Sequence, residues 1–190
     1  MKEPRRAFLL EVPGDPLPAG IAFVRHARFR MREDYLEKID RAIAGLDEEQ
    51  IWARLNESSN SIGNLMLHVA GNMRQWLVSG VGGAPDGRVR SEEFAARGSI
   101  SASELIERLR STIAETDEVL AALIAQMEEE KTDAVLQRVI SPQGYAQTVL
   151  DAVFHVVEHY SQHTGQILML AKWQKMLALS LYDTNELERK

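Results

Sequence analysis

An apolar residue recurs at every fourth position through Phe23, Ala27, Met31, Tyr35, Ile39 and Ile43. A half-buried strand would alternate with period two, so this stripe requires a helix with one apolar face, running from Ile21 to about Gly45. Helical stripes return three more times. Ile62, Leu65, Val69, Met73, Trp76 and Leu77 mark the inner side of a second helix that starts near Ser61 and ends at Gly80. Leu105, Leu109, Ile113, Leu120 and Ile124 do the same for a third, opened by the capping box Ser101-Ala-Ser-Glu104 and continuing to about Glu130. Thr148, with Asp151 three residues on, opens a fourth helix that reaches at least Ala171. With no convincing run of alternating strands, the chain is expected to be all-α, a four-helix bundle.

The connections carry their own signals. Residues 1–20 hold four prolines and two glycines, which predicts an extended arm docked through Phe8, Leu9 and Leu10, ahead of a single domain over residues 21–190. Asp47 is placed to cap a short helix through Leu55 that sets Trp52 against the bundle. Residues 80–100 read as a glycine-rich, charged linker, able to stretch roughly 66 Å if fully extended. Ser141-Pro-Gln-Gly144 marks a turn, flanked by short extended pieces around Val139 and Tyr145.

Composition narrows the function. A chain of 190 residues with 45% hydrophobic content can bury one sizeable core. The net charge of −6 lacks the basic stripe that a nucleic-acid surface needs, so no nucleic-acid partner is expected. No window approaches the ~18 apolar residues of a membrane span, and the amino-terminal apolar run is too short and acid-interrupted for a secretory signal, which suggests a cytoplasmic protein without a membrane partner. Cysteine is absent, so disulfides, thiolate ligands and an internal thiol nucleophile are all excluded.

The chemistry-bearing segment is His155-Val-Val-Glu-His159-Tyr-Ser-Gln-His163-Thr-Gly-Gln-Ile167 in the fourth helix. Residues four apart on a helix have Cβ atoms about 5–6 Å apart, so His159 and His163 can reach one metal ion. An open metal site usually takes three protein ligands, and His68 on the second helix is the natural third. In an up-down-up-down bundle, helices two and four would be parallel and His68 would sit roughly 12 Å out of register with His163. A linker that crosses the bundle end to end makes helix three parallel to helix two and returns helix four antiparallel, so that the three histidines meet. Spacing alone also permits histidines that are merely solvent-facing or hydrogen-bonded in the core.

His155 lies about 80° round the helix from His163, and pocket lining ranks ahead of a fourth-ligand or outer-partner role. Asn64, Asn72 and Gln166 share faces with the histidines and are candidates to orient imidazole N–H groups, with capping or bundle hydrogen bonds as the equal alternative. Tyr160 and Trp76 either frame the cavity or are plain core. Arg88, Arg90 and Arg97 could meet an anionic substrate, although a solvated charged loop is the stronger reading. Glu158 precedes His159, so the His-Glu-x-x-His arrangement of a metallopeptidase is missing.

Ser61-Ile-Gly-Asn-Leu-Met-Leu-His68-Val-Ala-Gly-Asn-Met-Arg-Gln-Trp76, followed far downstream by Glu158-His159-Tyr-Ser-Gln-His163-Thr-Gly-Gln-Ile167, resembles the DinB/YfiT-like superfamily over roughly residues 21 to 175. The resemblance implies a four-helix bundle with a long crossover between helices two and three. It further implies a divalent metal on His68, His159 and His163, and packing as a homodimer. Where the family pattern places a further histidine directly before the second ligand of helix four, this chain has Gln162.

Characterised members of that superfamily include transferases of low-molecular-weight thiols, so the resemblance implies an external thiol as co-substrate and an electrophilic small molecule as substrate. A divalent ion favours thiolate over thiol near neutral pH, which suits a chain with no cysteine. Zn, Ni and Fe are the first candidates for an imidazole set. Two alternatives stand beside this one: a metal-dependent hydrolase, and a non-catalytic metal- or ligand-binding stress-response bundle.

Overall fold

The computed structural model describes residue 14 and residues 16–98 and 100–175. Phe8, Leu9 and Leu10 of the expected arm therefore lie outside the described residues, and of the span 1–20 the last two positions, Ala19 and Gly20, already belong to the first helix.

Helix α1 is a continuous rod made of α-helix Ala19–Phe29, π-helical Arg30–Tyr35 and α-helix Leu36–Ile43. The π segment answers a problem set by the sequence. An α-helix turns every 3.6 residues, so a stripe spaced by four drifts steadily around it. A stretch closed by i→i+5 bonds takes more residues per turn and brings the stripe back. Ala27, Met31, Tyr35, Ile39 and Ile43 consequently all stay buried.

Asp47 caps the short helix α2, Glu48–Trp52, in a reciprocal box with Gln50. The helix stops three residues before the expected Leu55, which is exposed. Trp52 nonetheless docks as expected, packing its ring over Gly63 and donating from Nε1 to Ile100 O at 2.9 Å.

Ser61 and Asn64 form the box that opens α3, an α-helix over Ile62–Met73 continued by a π-helical segment Arg74–Val81. The crossover that follows is more structured than its glycines predict, since it contains a short helix α4, Arg90–Ala95. Asn64 holds it down, donating from Nδ2 to Glu93 O at 2.8 Å and Ala96 O at 3.1 Å.

Helix α5, Ala102–Glu130, is capped by Ser101 Oγ, while the Glu104 side chain turns away to pair with Arg108 instead of closing the box. A 3-10 turn at Ala134–Gln137 leads to β1, Val139–Ile140, and β2, Gln147–Thr148, paired antiparallel with Val139 opposite Thr148. The second extended piece thus begins two residues after Tyr145, which is exposed in the turn. Helix α6, Val149–Lys175, opens on the reciprocal Thr148 and Asp151 bonds.

Side-chain pairs fix the directions. His68 meets His159 and Asn72 meets His155, so α3 and α6 run antiparallel. Arg74 meets Glu115 and Gly82 abuts Val119, so α3 and α5 run parallel. Arg28 meets Asp117 and Asp40 meets Arg110, so α1 opposes α5. The four long helices therefore run up, down, down, up, the arrangement in which a crossover lets His68 and His163 share a level. Val24, Ile39, Met73, Leu77, Leu109, Leu120, Val153 and Ile167 are fully buried between them. Each such side chain contributes about 1.5–3 kcal/mol of transfer free energy. Among the described residues no helix is long and apolar enough to cross a membrane.

Candidate metal centre

The antiparallel pairing of α3 and α6 turns the four-residue histidine spacing into a cluster. His68 is buried on α3, and its Nε2 lies 3.0 Å from His159 Nε2. One turn along α6, His163 Nε2 lies 3.2 Å from the same atom. The three nitrogens all lie within 4.8 Å of one another. Ligand nitrogens bound at 2.0–2.1 Å to a tetrahedral ion stand about 3.4 Å apart, so the trio is already close to ligand spacing.

Proton accounting shows why these rings face one another. Glu93 on α4 is an acceptor, and its Oε2 lies 2.8 Å from His68 Nδ1, so that nitrogen carries the proton and Nε2 presents a bare lone pair. Gln166 Oε1 accepts from His163 Nδ1 at 2.6 Å and fixes the same tautomer there. His159 Nε2 can supply one proton at most. At least one lone pair is therefore left without a donor, and a cation at the point the three nitrogens share would satisfy all of them.

The electrostatics agree. Burial, followed by the neighbouring imidazoles of His163, His68 and His155, depresses His159 to about 3. Burial also lowers His163, against the opposing hydrogen bond to Gln166. Both rings are neutral near pH 7, the form that ligates metals. Burial alone would raise Glu93, but hydrogen bonds from His68 and Arg88 outweigh it and hold the carboxylate ionised.

His155 stands beside the trio, outside it. Its Nε2 accepts from Asn72 Nδ2 at 3.2 Å, and its ring lies tilted against Trp76 with centroids 4.2 Å apart. Asn72 thus orients a histidine, though the neighbouring one, and Gln166 orients a member of the trio. Asn64 instead caps α3 and pins the crossover. Tyr160 points into the bundle core, edge-on to Tyr35 at 5.1 Å, while Trp76 is buried and packs against His155 beside the trio. Glu158 is exposed.

The arginines divide. Arg97 is exposed and ties to the Phe94 and Ala96 carbonyls, and Arg90 sits over the Phe94 ring at 5.7 Å. Arg88, expected in a solvated loop, has a side chain only 6% exposed and pairs with Glu93 at 2.7 Å and with Gln75 at 3.0 Å. An ion pair of that quality offsets the desolvation that would otherwise keep a guanidinium in water. Glu93 was not legible in the sequence. It reaches His68 across 25 positions, and no periodicity links a crossover carboxylate to a helix interior.

No curated protein matches the chain. The fold is similar to that of a DinB-like protein from Bacillus cereus ATCC 10987, whose crystal structure superposes with a TM-score of 0.60 at 17% identity, covering 83% of this chain and 93% of that one. Residues 19–181 match the family described as "Protein of unknown function (DUF1572)". The chain belongs to that family, on a DinB/YfiT-like all-α bundle.

Proposed function

We propose that this protein is a divalent-metal-dependent transferase that moves a low-molecular-weight thiol onto an electrophilic small molecule. The observation that carries the reading is the set of facing Nε2 atoms of His68, His159 and His163, with the outer nitrogens of His68 and His163 already committed to Glu93 and Gln166. When bound there, a divalent ion stabilises the thiolate of an added thiol against its protonated form.

The chain's own residues then hold and shield. His68, His159 and His163 supply the neutral nitrogens. His155 and Trp76 pack together beside the trio, and Phe94 packs against the His68 ring at 4.7 Å. Since the chain has no cysteine, the nucleophilic sulfur comes from outside. Its proton is lost to solvent, a sulfur–carbon bond forms, and the leaving group departs with the electron pair of the bond it held. Hydrolysis ranks lower because it asks for a carboxylate free to act as base. Glu158 is exposed, and Glu93 has both oxygens engaged by His68 and Arg88.

The test supplies metal-loaded protein with glutathione or another cellular thiol and a panel of electrophiles, and follows S-conjugates by mass spectrometry. Conjugate that forms with wild type and disappears in His163→Ala supports the transferase. Metal-loaded protein that yields none with any pairing overturns it in favour of a non-catalytic metal-binding bundle.

A further inference from the structure

The metal ligand His68 is tied to the crossover by a contact that one residue makes possible. Gly71 lies three positions after His68 on α3, directly beneath the Glu93 carboxylate. A Cβ on Gly71 would overlap Glu93 Oε1 and come within 3.0 Å of Arg88 Nε. In place of that methyl, Glu93 Oε1 accepts from Arg88 Nε at 2.7 Å and Oε2 accepts from Arg88 Nη2 at 3.0 Å. Oε2 also accepts from His68 Nδ1 at 2.8 Å, and Arg88 Nη2 lies 3.1 Å from that same nitrogen. Arg88, Glu93 and His68 are all largely buried, so the group is a closed relay running from crossover to ligand.

We propose that Gly71, Arg88 and Glu93 form a positioning relay that fixes the orientation and tautomer of His68, so that metal affinity depends on the crossover being docked on α3. The inference rests on the metal-site reading above. Glu93 touches no reacting atom and acts only through His68, as the outer partners of ligating histidines do. Linkage makes the dependence mutual: an ion on His68 tightens the crossover by as much as the docked crossover tightens the ion.

Gly71→Ala tests this with opposed expectations. Alanine is the better helix former, so a purely structural glycine predicts a more stable helix and unchanged metal binding. The relay predicts weaker binding, because the methyl evicts the Glu93 carboxylate. A cleft of about 610 Å³ lined by Gly71, Arg74, Arg88, Glu93 and Arg108 borders the displaced group and gives it room without unfolding the bundle.

Zn affinity is measured by competition with a chromophoric chelator for wild type, Gly71→Ala, Glu93→Ala and Glu93→Gln. Hydrogen exchange of the crossover amides, residues 84–98, is followed with and without Zn. Gly71→Ala and Glu93→Ala should bind about 10–100-fold more weakly than wild type. Glu93→Gln, which keeps an acceptor for the His68 N–H, should recover part of the loss. Zn should slow crossover exchange in wild type and lose that effect in Glu93→Ala. Wild type that binds Zn while both alanine variants bind it equally well, or crossover exchange indifferent to Zn, overturns the relay alone. Wild type that binds no Zn overturns the metal-site reading on which it rests.

Discussion

Replacing His159 by leucine should destabilise the metal-free protein slightly and abolish its response to metal. His159 Nε2 stands 3.0 Å from His68 Nε2 and 3.2 Å from His163 Nε2, and its single proton can satisfy one neighbour only. Leucine removes that proton and leaves a second imidazole nitrogen without a donor, and an unsatisfied buried polar group costs about 1–3 kcal/mol. The site is half-buried at His159 and His163, so the lower end applies, about 1 kcal/mol. Leucine fills a similar volume, so no cavity adds to the cost. A loss of that size lowers the melting temperature of a chain this long by about 2–4 °C. Saturating metal, at about 100 times Kd, instead adds about 2.7 kcal/mol to wild type. Scanning calorimetry at neutral pH on chelator-treated protein, with and without Zn, should therefore rank loaded wild type first, stripped wild type next and His159→Leu last. A stripped variant that melts above stripped wild type, or Zn that raises both equally, refutes the reasoning.

Other parts of the structure give further expectations. Asp117 bridges Arg28 at 2.7 Å and Arg32 at 3.0 Å; burial would raise it, but the hydrogen bond and charge of Arg28, with Arg32, hold its carboxyl below the usual range. Its contribution is therefore present above pH ~4 and lost as pH falls through the depressed folded value. Urea unfolding should show Asp117→Asn about 1 kcal/mol less stable near pH 7 and converging with wild type in acid. Ile39→Ala, at a position with no exposure in the α-helical segment that follows the π segment of α1, should cost about 2–5 kcal/mol in the same assay. Trp52→Phe removes the bond to Ile100 O and should cost about 1 kcal/mol while speeding amide exchange at the base of the crossover.

What the sequence disclosed and what it withheld differ by range. The four long helices were legible because their apolar stripes are local and because Ser61, Ser101 and Thr148 announce their starts within one turn. The histidine trio was legible because two members share a helix, and an expected crossover together with the family resemblance pointed to the third. The π segments were not, although the strict spacing of four in α1 contains the hint that ordinary helical geometry could not keep Phe23 through Ile43 on one face. The crossover was misread as solvated because its order comes from tertiary hydrogen bonds of Asn64, Arg54 and Arg88, none of which leaves a periodic trace. Arg88 shows the cost of judging a residue by type: its burial depends on Glu93, and Glu93 depends on the missing side chain at Gly71.

The central claim is that His68, His159 and His163 together hold one divalent ion, and metal stoichiometry across single alanine variants tests it most directly. Equilibrium dialysis against Zn, followed by elemental analysis, should give one ion per chain for wild type and for His155→Ala, and none retained by His68→Ala, His159→Ala or His163→Ala. Wild type that retains no ion, or the trio variants retaining as much as wild type, would contradict it.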